Sequence, residues 1–224
     1  MALLSFAMLM KRLPGMILLV GAFLNPVTRV WGQAKLPDIP VSYIREHSIV
    51  LNRTTSYSGD EIRLNDKEGD GWVKIGGVSF SDGRIELDIK GSDLQGRSFV
   101  GFAFHGVNDT TYNAVYFRPF NFKSPERKGH SVQYISMPGH DWYELREKHP
   151  GVYENMVNPV PDPNTWFHAT IIVSFPGVKV YVNNSATPSL TVKQLNDTKD
   201  GWVGLWVGNG SAGSFRNLKI YPAK

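Results

Sequence analysis

The sequence predicts an all-β fold, a sandwich or barrel, on three observations. Short runs rich in Val, Ile, Phe, Tyr and Trp recur along the chain, separated by Gly, Asn, Asp and Pro. Helical periodicity is almost missing. Several runs alternate apolar with polar residues at the period of two that a half-buried strand requires.

Taken in order, Asp82-Gly83 reads as a hairpin-type turn. It opens a strand in which Ile85, Leu87 and Ile89 alternate with Arg84, Glu86, Asp88 and Lys90. Three segments, 99–104 (FVGFAF), 166–173 (WFHATIIV) and 202–207 (WVGLWV), are apolar at every position or nearly so. They are expected as central strands covered on both faces. Residues 131–135 (SVQYI) form a further strand. Val178, Val180 and Val182 alternate with Lys179 and Tyr181 in another, and Asn183-Asn184 follows as a hairpin turn because Asn tolerates positive φ. Asp70-Gly71-Trp72-Val73 recurs as Asp200-Gly201-Trp202-Val203, two comparable turn-to-strand transitions too short to imply duplication. Phe117–Pro163 breaks the strand rhythm. Within it, Asp141 with Glu144 three residues on fits an acidic variant of the capping box, and Pro150-Gly151 stops the helix, so one short helix is expected at about 142–148.

The chain has 224 residues, 24 of them Lys or Arg and 20 Asp or Glu, for a net charge of +4. Residues 1–32 carry Lys11, Arg12 and Arg29 and no acid, which leaves 21 bases against 20 acids in the remainder. The basic balance belongs to this leader, and no nucleic-acid partner is expected. Lys11-Arg12 before the apolar run Leu13–Leu24 suits an export signal, with cleavage after Val30-Trp31-Gly32 and before Gln33. The competing reading is an N-terminal membrane anchor. Residues 33–224 are then one secreted, periplasmic or envelope domain without a membrane span. Sequons at Asn52, Asn108, Asn183, Asn196 and Asn209 read as Asn-rich turns in a bacterial envelope protein. Cysteine is absent, which excludes disulfides, thiolate metal sites and a Cys nucleophile.

Candidate chemistry concentrates between Tyr112 and Trp166. Sugar binding needs flat aromatic faces and planar polar groups. Tyr116, Tyr134 and Trp142 supply the first, and Arg118, His130, Gln133 and Arg146 the second. Tyr112, Tyr116 and Arg118 share parity and so one face. Glycoside hydrolysis needs two carboxylates across the scissile bond. Glu86 and Asp88 lie on one strand face, about 7 Å apart by strand rise. Glu154, beside Tyr153 and close to the expected helix, is the preferred single acid. The six histidines show no metal-binding spacing, and no metal or cofactor is expected. Asn108-Asp109 could offer oxygens to Ca²⁺, but an Asx turn is the simpler reading.

Ser79-Phe80-Ser81-Asp82-Gly83 through Ile85–Ile89 resembles the opening strands of concanavalin A-like sandwiches. So do Phe99–His105, Tyr112–Pro119, and the ending Gly201–Val207 with Phe215–Ile220. The likeness spans roughly residues 45–222 and is closest to bacterial laminin-G-like and 3-keto-disaccharide hydrolase domains. The resemblance implies a two-sheet antiparallel jelly-roll sandwich whose concave face binds a saccharide. It also admits a glycoside hydrolase using Glu154 or the Glu86/Asp88 pair, or a laminin-G-like protein-interaction module.

Overall fold

The computed structural model describes residues 38–223. The expected export segment, residues 1–32, and its cleavage point lie outside the described residues. The described chain is a two-sheet antiparallel jelly roll. Its elements run α1 (Val41–His47), β1 (Ser48–Leu51), β2 (Thr55–Ser58), β3 (Glu61–Leu64), β4 (Gly71–Phe80), β5 (Gly83–Lys90), β6 (Val100–Gly106) and β7 (Tyr112–Phe117). They continue with β8 (Val132–Met137), α2 (Trp142–Lys148), β9 (Glu154–Asn155), β10 (Phe167–Ser174), β11 (Gly177–Val182), β12 (Leu190–Lys193), β13 (Gly201–Val207) and β14 (Gly213–Pro222). The first sheet has the order β1-β4-β13-β6-β7-β8-β9 and the second β12-β11-β10-β5-β14-β3-β2.

Alternation decides what the sandwich buries. Ile85, Leu87 and Ile89 point inward from the second sheet, as do Val178, Val180 and Val182. They meet Val73, Phe102, Phe104, Val115, Phe117, Val132 and Leu205 of the first sheet. The first sheet also buries its other face. Trp72, Trp202, Trp206, Tyr112, Tyr116 and Ile135 form a second apolar cluster there, with Leu145 of α2 packed against it. This explains the continuously apolar runs of β6 and β13, which are buried at nearly every position. The two Asp-Gly-Trp-Val echoes begin β4 and β13, which are neighbours, and Trp72 stacks on Trp202 with ring centroids 5.8 Å apart.

Several local expectations need correction. β10 was expected to be covered on both faces, but His168, Thr170 and Ile172 are only partly buried, because its outward face lies outside the core. Asp82-Gly83 is not a hairpin: it carries the chain from β4 in one sheet to β5 in the other. The Asp82 carboxylate there accepts the Phe175 amide at 2.8 Å. Asn183 and Asn184 do form a tight turn with φ of 48° and 57°, closed by the Ser185 amide on the Val182 carbonyl. That turn opens a longer connection to β12. A second helix, α1, joins the expected one. It is anchored by buried Ile44 and by the Tyr43 hydroxyl donating to the Gly76 carbonyl at 3.1 Å, and seven residues are too few for a hydrophobic period to declare itself. Asn108 makes an Asx turn, its side-chain oxygen accepting the amides of Thr110 and Thr111 at 2.9 Å.

Gly101 is a pressure point in β6. A Cβ there would lie 2.1 Å from the Val115 carbonyl oxygen and 2.5 Å from Tyr116 Cα. Gly101→Ala is therefore expected to cost about 3 kcal/mol, the upper end of ordinary overpacking, because backbone rather than a flexible side chain must move. The urea midpoint of unfolding measures it.

Candidate functional site

One register line crosses the first sheet from edge to edge. Leu51 opposes Trp72, Trp72 opposes Trp206, Trp206 opposes Gly101, Gly101 opposes Tyr116, Tyr116 opposes Gln133, and Gln133 opposes Glu154. Residues directly opposite in a sheet point to the same face. The line therefore grades from apolar indoles at one side to a carboxylate at the other. With no side chain at Gly101, the rings of Trp206 and Tyr116 approach to 5.0 Å.

The polar end of this line is a closed ion network. Arg118, just past β7, continues the ladder through its amide to the Ser131 carbonyl. Its Nη2 donates to Tyr116 Oη and to Gln133 Oε1, both at 2.6 Å, while Nη1 donates to the His130 carbonyl at 3.0 Å and reaches Glu154 Oε2 at 3.5 Å. Arg146 of α2 grips the same carboxylate with two bonds, Nε to Oε1 at 2.9 Å and Nη2 to Oε2 at 2.6 Å. His130 Nδ1 stands 2.8 Å from Oε1. Burial pushes the Glu154 pKa up, but hydrogen bonds and charge from Arg146, then His130 and Arg118, outweigh it. The carboxyl is held below its usual range.

Asp141 places α2. Its Oδ1 accepts the amides of Tyr143 and Glu144 at 2.9 Å, as the capping pattern requires. Arg146 then falls over Glu154, and Trp142, 46% exposed, lies 5.1 Å from the Arg146 guanidinium. Trp142 and Phe99 separate two adjoining cavities. One, of about 250 Å³, has Trp206, Tyr116 and Ile135 in its lining with Asp70, Asp141 and Asn209. The other, of about 210 Å³, is lined by Arg118, Asn121, Arg127, His130 and Arg146 together with Phe120.

The wall at Asp70 is held by an arginine that sequence reasoning passed over. Arg53, nearly buried, donates to the carbonyls of Asn52, Gly69 and Gly208 at 2.6, 2.7 and 2.9 Å. It thereby ties the segment before β4 to the one after β13. Among the described residues, the side-chain contact to the Asp70 carboxylate is a long one, 3.5 Å, from the Tyr112 hydroxyl. Burial raises its pKa; the charge of Arg53 and hydrogen bonds from the Asn209 amide and Tyr112 offset part of that, and Asp141 adds to it.

Of the residues singled out from sequence, Tyr116, Arg118, His130, Gln133, Trp142, Arg146 and Glu154 are brought together. Tyr134 is not. It points into the core between the sheets, its hydroxyl donating to Asn113 Oδ1 at 2.6 Å and accepting the Leu195 amide. Its neighbour Gln133 takes the other face, since adjacent strand residues alternate. Glu86 and Asp88 face outward from the second sheet. Glu86 pairs with Arg84 at 3.0 Å. Asp88 accepts His168 Nδ1 and Asn217 Nδ2, both at 2.8 Å, and Arg216 Nε at 3.3 Å. Burial raises the Asp88 pKa, and these bonds more than reverse the shift. Neither acid converges with Glu154 on one cleft. Asp70, Phe99, Trp206 and Asn209 were not singled out as site residues; Asp70 stood in the repeated Asp-Gly-Trp-Val, Phe99 and Trp206 in apolar strand runs, and Asn209 in a sequon, none of which signals a cavity wall. Among the described residues, no group of three or more His, Asp or Glu is placed to hold a metal ion.

Residues 47–221 match the family model described as the 3-keto-alpha-glucoside-1,2-lyase-like domain. The chain belongs to this family. No curated protein matches it in sequence. Among solved structures, a carbohydrate-binding module from Bacillus subtilis superposes with a TM-score of 0.57 at 16% identity, covering 76% of this chain and 92% of that one. The carbohydrate recognition domain of Emp46p gives 0.55 at 10% identity, over 80% and 90% of the two chains. A Bacillus licheniformis beta-glucanase gives 0.51 at 16% identity, over 80% and 89%. These likenesses establish the concanavalin A-like fold of this member of the lyase-like family.

Glu154→Gln would leave two guanidiniums around a neutral amide. A loss of about 3–5 kcal/mol is expected from stranding the buried charge, read from thermal or urea unfolding. Because the Glu154 pKa is depressed in the folded state, its contribution is present above the unfolded carboxylate value. It is lost as pH falls through the folded value. Wild-type stability should therefore drop on acidification below the ordinary carboxylate range more steeply than that of Glu154→Gln.

Proposed function

We propose that the protein is an exported domain that binds a saccharide across the two cavities flanking Phe99 and Trp142. The observation that carries this reading is their shared aromatic divide with a different polar set on each side. Sugar rings present flat C–H faces to indole and phenyl rings and hydroxyls to planar polar groups. Asp70, Asp141 and Asn209 offer such groups in one cavity, and Asn121, Arg127 and His130 in the other. Arg118, Gln133, Tyr116 and Glu154 act beneath them as a rigid support, since their mutual bonds are already made. Preorganisation of this kind lowers the ordering cost of binding. Stacking contacts of about 1 kcal/mol each give micromolar to millimolar affinity.

Family membership favours a second reading, that the bound sugar is also cleaved. The family description names a 1,2-lyase of 3-keto-α-glucosides, and the same cavity would hold such a ligand.

A glycan array on protein beginning at Gln33, run beside a screen for cleavage products, tests both readings. Saccharide binding is expected, and Trp142→Ala should weaken it about tenfold, or about 1.4 kcal/mol, with unchanged unfolding. A protein that binds no saccharide, or a Trp142→Ala variant that binds as tightly as wild type, would overturn the assignment.

A further inference from the structure

We propose that Asp70 is the proton donor that cleaves a glycosidic bond held in the larger cavity. This rests on the saccharide reading and adds chemistry to it. Breaking a bond between C1 and a glycosidic oxygen leaves that oxygen needing a proton, and a neutral carboxyl in the ligand cavity is the usual source. Such a group must face the ligand, escape pairing with a cation, and be fixed in place.

The carboxyls around this face differ on those requirements. Glu154 is buried beneath Arg118 and Arg146 and committed to both. Asp141 spends one oxygen on capping α2. Asp70 lines the cavity of about 250 Å³, and its one side-chain hydrogen-bond partner among the described residues is the distant Tyr112 hydroxyl. The nearest cation it feels, Arg53, is turned to three carbonyl oxygens instead. That same arginine immobilises the backbone on both sides of the cavity wall, and the Gly69 amide bonds Asn209 Oδ1 at 2.7 Å to close it. The upward displacement of the Asp70 pKa by burial agrees with a group that keeps its proton at higher pH than an ordinary aspartate.

For a 3-keto-α-glucoside the step balances as follows. The C1–O bond breaks with its electron pair remaining on the leaving oxygen, which takes the Asp70 proton. The C2–H pair becomes the C1=C2 double bond, and the C2 proton, acidified by the neighbouring ketone, passes to Asp141. Solvent then returns a proton to Asp70 and removes one from Asp141. No oxidant, reductant or other reactant is required.

Asp70→Asn separates this role from packing. Kinetics would be measured with methyl 3-keto-α-glucoside, a poor leaving group, and 4-nitrophenyl 3-keto-α-glucoside, whose phenolate leaves without protonation. The expected result is a kcat loss of about 100-fold or more on the methyl glycoside, a far smaller loss on the nitrophenyl one, and little change in KM. The alkaline limb of the wild-type pH–rate profile should vanish in the variant. Asn copies the protonated form. A folded pKa raised above the unfolded one supports stability at low pH and loses that support as pH rises through the folded value. The variant should therefore unfold no earlier than wild type at pH 8. Equal losses on both substrates, no loss on either, or a wild type that binds sugars and cleaves neither would overturn the proposal while leaving saccharide binding intact. Absence of any saccharide binding would overturn both.

Discussion

One buried carboxylate shared by two guanidiniums organises the ligand face. Glu154 sits on β9, a two-residue strand at the sheet edge. By itself so short a strand contributes little. The carboxylate makes it a junction: Arg146 pulls α2 down over the first sheet, and Arg118 locks the end of β7 to Gln133 on β8. Removing charges from water is expensive, and it is tolerable here because almost every donor is met. The helix position that results puts Trp142 at the boundary between two cavities. An apolar face that α2 would otherwise leave open thus becomes a partly roofed groove.

The same molecule shows three fates for a carboxyl group. Glu154 and Asp88 are surrounded by cations and donors, and both are driven toward the ionised form despite burial. Asp70 has comparable burial without a contacting cation, and it is driven the other way. The difference lies in where the neighbouring arginine points its donors. Arg53 satisfies main-chain carbonyls and so shapes a wall; Arg118 and Arg146 satisfy a side chain and so quench it. Residue type and spacing alone do not distinguish these cases.

Much of the fold was legible because strand alternation is a local property. The inward set Ile85, Leu87 and Ile89, the valines of β11 and the Asp141 cap can each be read within a few residues of chain. Where both parities are apolar or both mixed, alternation says nothing about which face is the core. β8 is such a case: Val132 and Tyr134 go inward and Gln133 and Ile135 outward, so Tyr134 and Gln133 could not both serve one site. β10 is another, apolar enough to resemble a covered strand and yet covered on one side only.

The sequence by itself determined the all-β class, strands such as β5, β6, β8, β10, β11 and β13, the helix at Trp142–Lys148 and the concentration of aromatic and guanidinium groups between Tyr112 and Trp166. These follow from local periodicity, capping and turn chemistry. Only the tertiary structure decided which acids share a cleft. Glu86 and Asp88 fall on the far sheet, Glu154 falls under two arginines, and Asp70, distant in sequence from the rest, falls into the cavity. Pairing register joins residues far apart in the chain, and an acid's protonation depends on those distant neighbours more than on its own segment.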